Sequence, residues 1–227
     1  MRDRPEFPFI AIEGTDGSGK STLRNLLHER LNAAGYGCFM VGQHSWLDVT
    51  AGRVILAART QRAGVGRDEL STAYATDKML HQRHNIIPAL RTVAVLADRY
   101  IYSDAVYHQL LYGIPSAHTL ALHARLGTRR PDAVIFVDAS PAIAFDRTVT
   151  RGMHRRAHET EPIINLLHAA YRDMFFGGAL DGHLNKLIHV DNNASEPAEA
   201  VERILPELTT LFPTGAGIPS GSVVANG

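Results

Sequence analysis

Gly14-Thr15-Asp16-Gly17-Ser18-Gly19-Lys20-Ser21 constrains this chain more tightly than any other stretch. It fits G-x-x-x-x-G-K-[ST] at every position, the pattern of a phosphate-cradling P-loop. Glycine lets such a loop turn tightly and brings backbone N–H groups against phosphate oxygens. Lys20 adds a mobile positive charge, and Ser21 a hydroxyl suited to Mg²⁺. The flanks have the order this chemistry needs. Phe9-Ile10-Ala11-Ile12 is a short apolar run that reads as a buried parallel strand. Leu23, Leu26, Leu27 and Leu31 then recur at helical spacing. A helix N-terminus placed there attracts phosphate in its own right. A glycine-rich turn without a ligand is the competing reading, and the strand–loop–helix order weighs against it.

Elsewhere the composition mainly excludes. A chain of 227 residues, 45% hydrophobic and 20% charged, suits one globular domain of α/β size. Formal net charge is zero, so no global field recruits a nucleic-acid polymer or a membrane surface, and any anion site must be local. The single cysteine, Cys38, rules out an intrachain disulfide framework and fits a reducing, cytoplasmic setting. No apolar run is long enough to cross a bilayer, and no signal-peptide pattern is expected. From Phe212 onward the residues are small, uncharged and rich in Gly, Pro and Ser. That reads as a flexible C-terminal tail, 212–227, behind a domain spanning 1–211.

Strand-like and helix-like segments alternate, which predicts an α/β fold of three layers, a five-stranded parallel sheet flanked by helices. Strands are expected over 7–13, 37–41, 92–97, 133–137 and 187–190. Helices are expected over 21–34, 51–62, 68–89, 103–112, 116–126, 141–151, 162–176 and 196–211. Ligands of open α/β sheets bind beyond the C-terminal ends of the strands. Behind the third strand stands Asp98-Arg99-Tyr100, followed by Ser103, Asp104 and Tyr107. Asp98 sits where a second acidic group faces the P-loop magnesium, and Arg99 where a guanidinium grips phosphate with two parallel hydrogen bonds. A helix-capping Asp–Arg pair is the plainer alternative. Behind the fourth strand a helix ends in Arg147, Arg151, Arg155 and Arg156, broken by Gly152. An arginine-rich lid over about 151–161 would neutralise a migrating phosphoryl group and exclude water. The alternative is a solvated basic face paired with Glu159 and Glu161.

Together these blocks resemble thymidylate kinases, within the P-loop nucleoside monophosphate kinases, from Phe9 to about Phe176. The opening strand and loop through Thr22 match the family pattern, including its internal aspartate, Asp16. Tyr74-Ala75-Thr76-Asp77-Lys78, His81 and Ile87-Pro88-Ala89-Leu90 resemble its long helix beside the acceptor base. Asp98-Arg99-Tyr100 with Ser103, Ala105 and Tyr107 matches its Asp-Arg-Tyr block. Val137-Asp138, Pro141, Arg147, Arg151-Gly152 and Arg155 match its lid entry, and Tyr171 a tyrosine of the helix that follows.

The resemblance implies an ATP- and Mg²⁺-dependent enzyme that phosphorylates a nucleoside monophosphate, dTMP or a related nucleotide, and that packs as a homodimer. It assigns ATP to Gly14, Asp16, Gly17, Ser18, Gly19, Lys20, Ser21, Thr22 and Arg147, and Mg²⁺ to Ser21 and Asp98. Catalysis falls to Lys20, Arg99, Arg151, Arg155 and Asp16, the lid arginines standing in for a P-loop arginine that some members carry where Ser18 stands. The acceptor falls to Asp16, Trp46, Arg53, Tyr74, Lys78, Arg99, Asp104, Tyr107 and Tyr171, with Tyr74 stacked on the base.

The departures from the family concern the acceptor. In place of an Arg/Glu-Pro-Gly-Gly-Thr-like stretch, this chain has Gly42-Gln43-His44-Ser45-Trp46-Leu47-Asp48-Val49-Thr50. Trp46, the only tryptophan, can stack on a base or pack in the fold. Lys78 replaces the base-reading arginine and cannot reproduce its planar fork. Asp104 stands where an amide would suit thymine, and an ionised carboxylate only accepts hydrogen bonds. The expectation is an acceptor that is not necessarily dTMP, with Asp104 favouring a base edge rich in N–H donors; plain sequence drift is the alternative. The pairs His81/His84 and His154/His158 have zinc-compatible spacing but no third ligand nearby. Two other functions stay open at this point. One is a kinase of a free nucleoside or other small metabolite, with Asp98 or Asp16 as base. The other is a nucleotide-binding regulatory module without chemistry.

Overall fold

The computed structural model describes residues 6–60, 64–151, 158–178, 180, 183–194 and 196–216. Five strands form one parallel sheet: β1 (Phe9–Glu13), β2 (Cys38–Val41), β3 (Ala94–Asp98), β4 (Ala133–Asp138) and β5 (Leu187–Asp191), in the order β2-β3-β1-β4-β5. β1 is central, with Ile12 opposite Asp98 on β3 and Ile135 on β4. Every residue of β1 and β4 is buried, because a strand covered on both faces is apolar throughout rather than alternating.

Helices cover both faces. On one side α1 (Lys20–Ala33) and α9 (Pro197–Thr209) bring Leu23, Leu27 and Val201 into a cluster with Ile10 and Ile12. On the other, α5 (Ile101–Tyr112) and α8 (Glu161–Phe176) bring Tyr102, Leu167 and Phe175 together with Phe9, Val95 and Phe136. α6 (Ser116–Arg125) packs on α5, and α7 (Pro141–Thr150) follows β4. A smaller cluster joins α2 (Val49–Arg59) to α3 (Arg67–His81) through Ile55, Leu70 and Tyr74. α3 runs on through a π-helical turn (Gln82–Ile86) into α4 (Ile87–Ala89). The single helix expected over 68–89 is therefore continuous but widened near its end, a distortion frequent at functional sites.

Several expected boundaries move. α2 begins at Val49 because Asp48 caps it, accepting from the Ala51 N–H at 2.7 Å. Phe212, expected to open the tail, is buried and packs on Tyr36 with ring centroids 4.5 Å apart. The folded body thus extends past residue 211, while residues 217–227 lie outside the described residues. Of the lid expected over 151–161, residues 152–157 lie outside them too, and with them Arg155 and His154. Among the described residues no helix is long and apolar enough to cross a membrane.

Candidate active site

Between β1 and α1 the chain reverses within a few residues, and glycines take the conformations other residues avoid. Gly17 has φ +79°, and Gly19, at the head of α1, φ +97°. A Cβ on Gly17 would stand 2.0 Å from the Ala144 carbonyl oxygen, and one on Gly19 2.3 Å from Asn192 Nδ2. The Asn192 carboxamide, just past β5, donates to the Ser18 carbonyl at 2.7 Å and so pins the loop. Lys20 Nζ donates to the Thr15 carbonyl. Burial and the nearby Arg99 charge pull the Lys20 amine down to about 7, against the opposing pull of Asp16 and Asp98.

Arg99, just past β3, holds a left-handed backbone, φ +70°, a conformation that persists in a bulky residue only when its surroundings enforce it. Nη1 donates to the Gly14 carbonyl at 2.7 Å and to the Tyr171 hydroxyl at 2.9 Å, and Nη2 to Asp16 Oδ1 at 2.8 Å. Asp16 Oδ2 accepts from the Tyr107 hydroxyl at 2.7 Å and lies 3.2 Å from His158 Nε2. Burial raises the Asp16 carboxyl, but Arg99, His158 and Lys20 outweigh it and hold it well below the usual range. Glu13, ending β1, accepts from the Tyr100 N–H and the Ser103 hydroxyl. The Asp-Arg-Tyr block is therefore a brace joining β1, the P-loop, α5 and α8. Asp98 pairs with Arg24 of α1 at 2.7 Å.

The segment after β2 is held by one face of α3. The Asp77 carboxylate accepts from the Ser45 N–H at 3.0 Å, the Ser45 hydroxyl at 2.7 Å and the Trp46 N–H at 3.0 Å, and lies 3.2 Å from His44 Nδ1. Lys78 donates to the Gln43 carbonyl at 2.6 Å, and His81 Nε2 to the Gly42 carbonyl at 2.9 Å. These bonds hold Trp46 at φ +57°. Lys78 also pairs with Asp104 at 3.1 Å, and the Gln43 amide donates to Asp104 Oδ1 at 2.8 Å.

Loop, brace and segment surround a crevice of about 540 Å³. Gly17, Gly19, Lys20, Ser21 and Thr22 line it from the P-loop. Asp16, Trp46, Asp98, Arg99, Arg147 and Arg151 line it as well, so most of the expected set converges. Arg151 meets Glu159 at 3.3 Å.

Other expected residues stand elsewhere. Ser18 is fully buried and Gly14 packs under the Val137 carbonyl, so both shape the loop from behind. Lys78 and Asp104 are fully buried, pair with each other and do not line the crevice. Tyr171 is buried behind Arg99, its hydroxyl hydrogen-bonded to the guanidinium. Arg53 lines a separate groove with Thr50 and Glu69, because α2 turns it away from the face that carries Arg59. Tyr74 is buried edge-on to the His44 and His108 rings. The cavity it shares with Tyr107 measures about 20 Å³, room for about one water rather than a base.

A sequence profile described as "Thymidylate kinase" matches residues 12–179, from the P-loop through the brace to the helix of Tyr171. The chain belongs to the thymidylate kinase family. A thymidylate kinase of Afipia carboxidovorans is 32% identical over 86% of this chain and 86% of its own. One of Leptospira interrogans is 31% identical over 72% of this chain and 79% of its own. One of Oleidesulfovibrio alaskensis is 29% identical over 91% of this chain and 100% of its own. Membership makes this protein a nucleotide kinase, and its five-stranded sheet with flanking helices is the P-loop kinase fold of thymidylate kinases.

Within this candidate site, some contributors have no motif to announce them. Arg59 lines both the crevice and the small cavity beside Tyr74. Its only signal is a place about a third of a turn around α2 from Arg53. Gln43 and His44 line the crevice from the segment in which the chain leaves the family pattern. Asn192 is marked only by following the last strand. His158, paired by spacing with His154 for a metal, instead bonds Asp16. Among the described residues no group of three His, Cys, Asp or Glu side chains is placed to hold a metal.

Proposed function

We propose that this chain moves the γ-phosphoryl group of ATP, with Mg²⁺, onto the phosphate of a nucleoside monophosphate. The observation that carries this reading is one crevice lined by Lys20 together with Arg59, Arg99, Arg147 and Arg151. An oxygen of the acceptor phosphate bonds to the γ-phosphorus while the bond to the β–γ bridging oxygen breaks and ADP leaves. Negative charge spreads over the transferring oxygens, and cations already in place around them stabilise it. Lys20 serves the ATP phosphates, Arg99 and Arg59 the acceptor phosphate, and Arg147 and Arg151 the transferring group. The residues present fit Mg²⁺: Ser21 and Asp98 offer a hydroxyl and a carboxylate to the same crevice, hard oxygen donors for an ion that completes its shell with phosphates and water. When bound, the metal neutralises phosphate charge.

Phosphate-dependent ADP release, followed for a panel of nucleoside monophosphates, tests the reading. Lys20→Ala should lower kcat/KM by more than about 100-fold, and near-normal turnover in that variant would refute the scheme. A free-nucleoside acceptor is the weaker reading, because it needs a carboxylate available as base. Asp16 is engaged by Arg99 and Tyr107, and Asp98, whose Oδ2 pairs with Arg24, has its remaining oxygen assigned to Mg²⁺ above. A homodimer, implied by the family resemblance, goes with the leading reading; the exposed Leu56 and Met79 supply apolar surface that such an interface would cover. Sedimentation equilibrium checks it.

A further inference from the structure

Gln43 and His44 both line the crevice, and each is held from behind by a carboxylate, which when ionised donates nothing. Asp104 Oδ1 takes a Gln43 Nε2–H at 2.8 Å. That contact decides how the carboxamide is turned and leaves its carbonyl oxygen on the other side. Asp77 Oδ2 lies 3.2 Å from His44 Nδ1, which places the ring proton on Nδ1 and leaves Nε2 as a lone-pair acceptor. His44 Nε2 is buried and has no hydrogen-bond partner among the described residues. Burial lowers the His44 pKa from its ordinary value despite the Asp77 contact, so the ring is neutral near pH 7. Lys78, donating to the main-chain carbonyl of Gln43 and pairing with Asp104, keeps the arrangement from turning outward. The two neighbouring side chains therefore present acceptors, and neither presents a charge.

We propose that Gln43 and His44 are the specificity-determining residues of the acceptor site, accepting hydrogen bonds from a donor group of the incoming nucleotide. The proposal rests on the monophosphate-kinase reading above. Every nucleoside monophosphate keeps a 3′-hydroxyl, and uracil and thymine add only an N3–H flanked by two carbonyls; the donors that distinguish one acceptor from another are an exocyclic amino group on the base and a ribose 2′-hydroxyl. dUMP and dTMP carry neither. A carbonyl such as their O4 would set acceptor against acceptor and leave the buried His44 Nε2 unpaired, a strong basis for rejection.

The test compares kcat/KM for dUMP, dTMP, dCMP and UMP in the wild type, Gln43→Leu and His44→Phe. The wild type should favour dCMP or UMP over dUMP by about tenfold or more. Preference for dCMP assigns the contact to the base amino group, and preference for UMP assigns it to the sugar. In each variant the ratio should fall toward one while the KM for ATP stays unchanged. Equal use of all four nucleotides, or an unaltered ratio in both variants, overturns the proposal. His44→Gln, which keeps an acceptor, should retain part of the preference, so loss of folding in His44→Phe does not decide the matter. If no monophosphate is phosphorylated, the kinase reading fails on its own. Calorimetric binding of the same four nucleotides then decides this inference, with the same preference supporting it and equal affinities overturning it.

Discussion

Lys20 sits buried beside Arg99, and its amine is drawn from 10.5 down to about 7. At pH 8 the free protein therefore holds it mostly neutral. A triphosphate favours the charged form and raises that pKa again, so ATP binding at pH 8 should take up close to one proton, and at pH 6 almost none. Calorimetry in buffers of different ionisation enthalpy reads this directly, and uptake that is equal at the two pH values would count against it. Lys20→Arg, charged throughout, should show none. The same depression acts on folding. Between about 7 and 10.5 the unfolded chain holds more protons at this site than the folded one, so unliganded stability rises with pH across that window. Gly17 is constrained differently, by φ +79° and by the Ala144 carbonyl 2.0 Å from any added Cβ. Gly17→Ala should cost more than about 2 kcal/mol in urea unfolding and abolish ATP binding. Residues of this kind are legible in the sequence, because the loop motif states its own geometry. Asn192 is not, since the carbonyl it fixes lies on Ser18, 174 positions away.

At the level of elements, α3 shows where reading a chain by period stops. Helical spacing puts Asp77, Lys78 and His81 on one face, but it does not say what that face meets. Family resemblance points Lys78 at a base; the fold points it at the segment after β2. The difference arises because Gln43 reaches Asp104 on α5, 61 positions on, and completes a buried polar cluster that occupies the space. Burial raises the Asp104 carboxyl, yet Lys78 and the neighbouring histidines hold it lowered overall. Lys78→Met should leave that carboxylate without its cation and destabilise the protein by about 3–5 kcal/mol. Lys78→Met with Asp104→Leu removes both charges and should recover much of the loss. A double-mutant cycle by urea unfolding should give a coupling above about 1 kcal/mol; additive losses would mean that the pair does not hold the segment.

For the whole molecule, the sheet was the easiest part to foresee. Buried parallel strands are continuous apolar runs, and β1, β3 and β4 are nearly pure examples, so each stands within two residues of its expected place. The crevice was half foreseen. Its P-loop side is local in sequence, whereas its other wall is assembled from α2 and the segment after β2, held from behind by α3, which no motif connects. That asymmetry makes the two halves separable by ligand binding, because a ligand stabilises only the native state that binds it. ATP at 100 times its Kd should add about 2.7 kcal/mol of stability, about 5–10 °C in Tm for a chain of this size. Lys20→Ala should erase that shift. Arg59→Ala should keep it and instead cut the shift given by a nucleoside monophosphate, since Arg59 lines the crevice from α2 and not from the P-loop. Loss of the ATP shift with the monophosphate shift kept would place that residue on the ATP side, and the division of the crevice drawn above would have to be reversed.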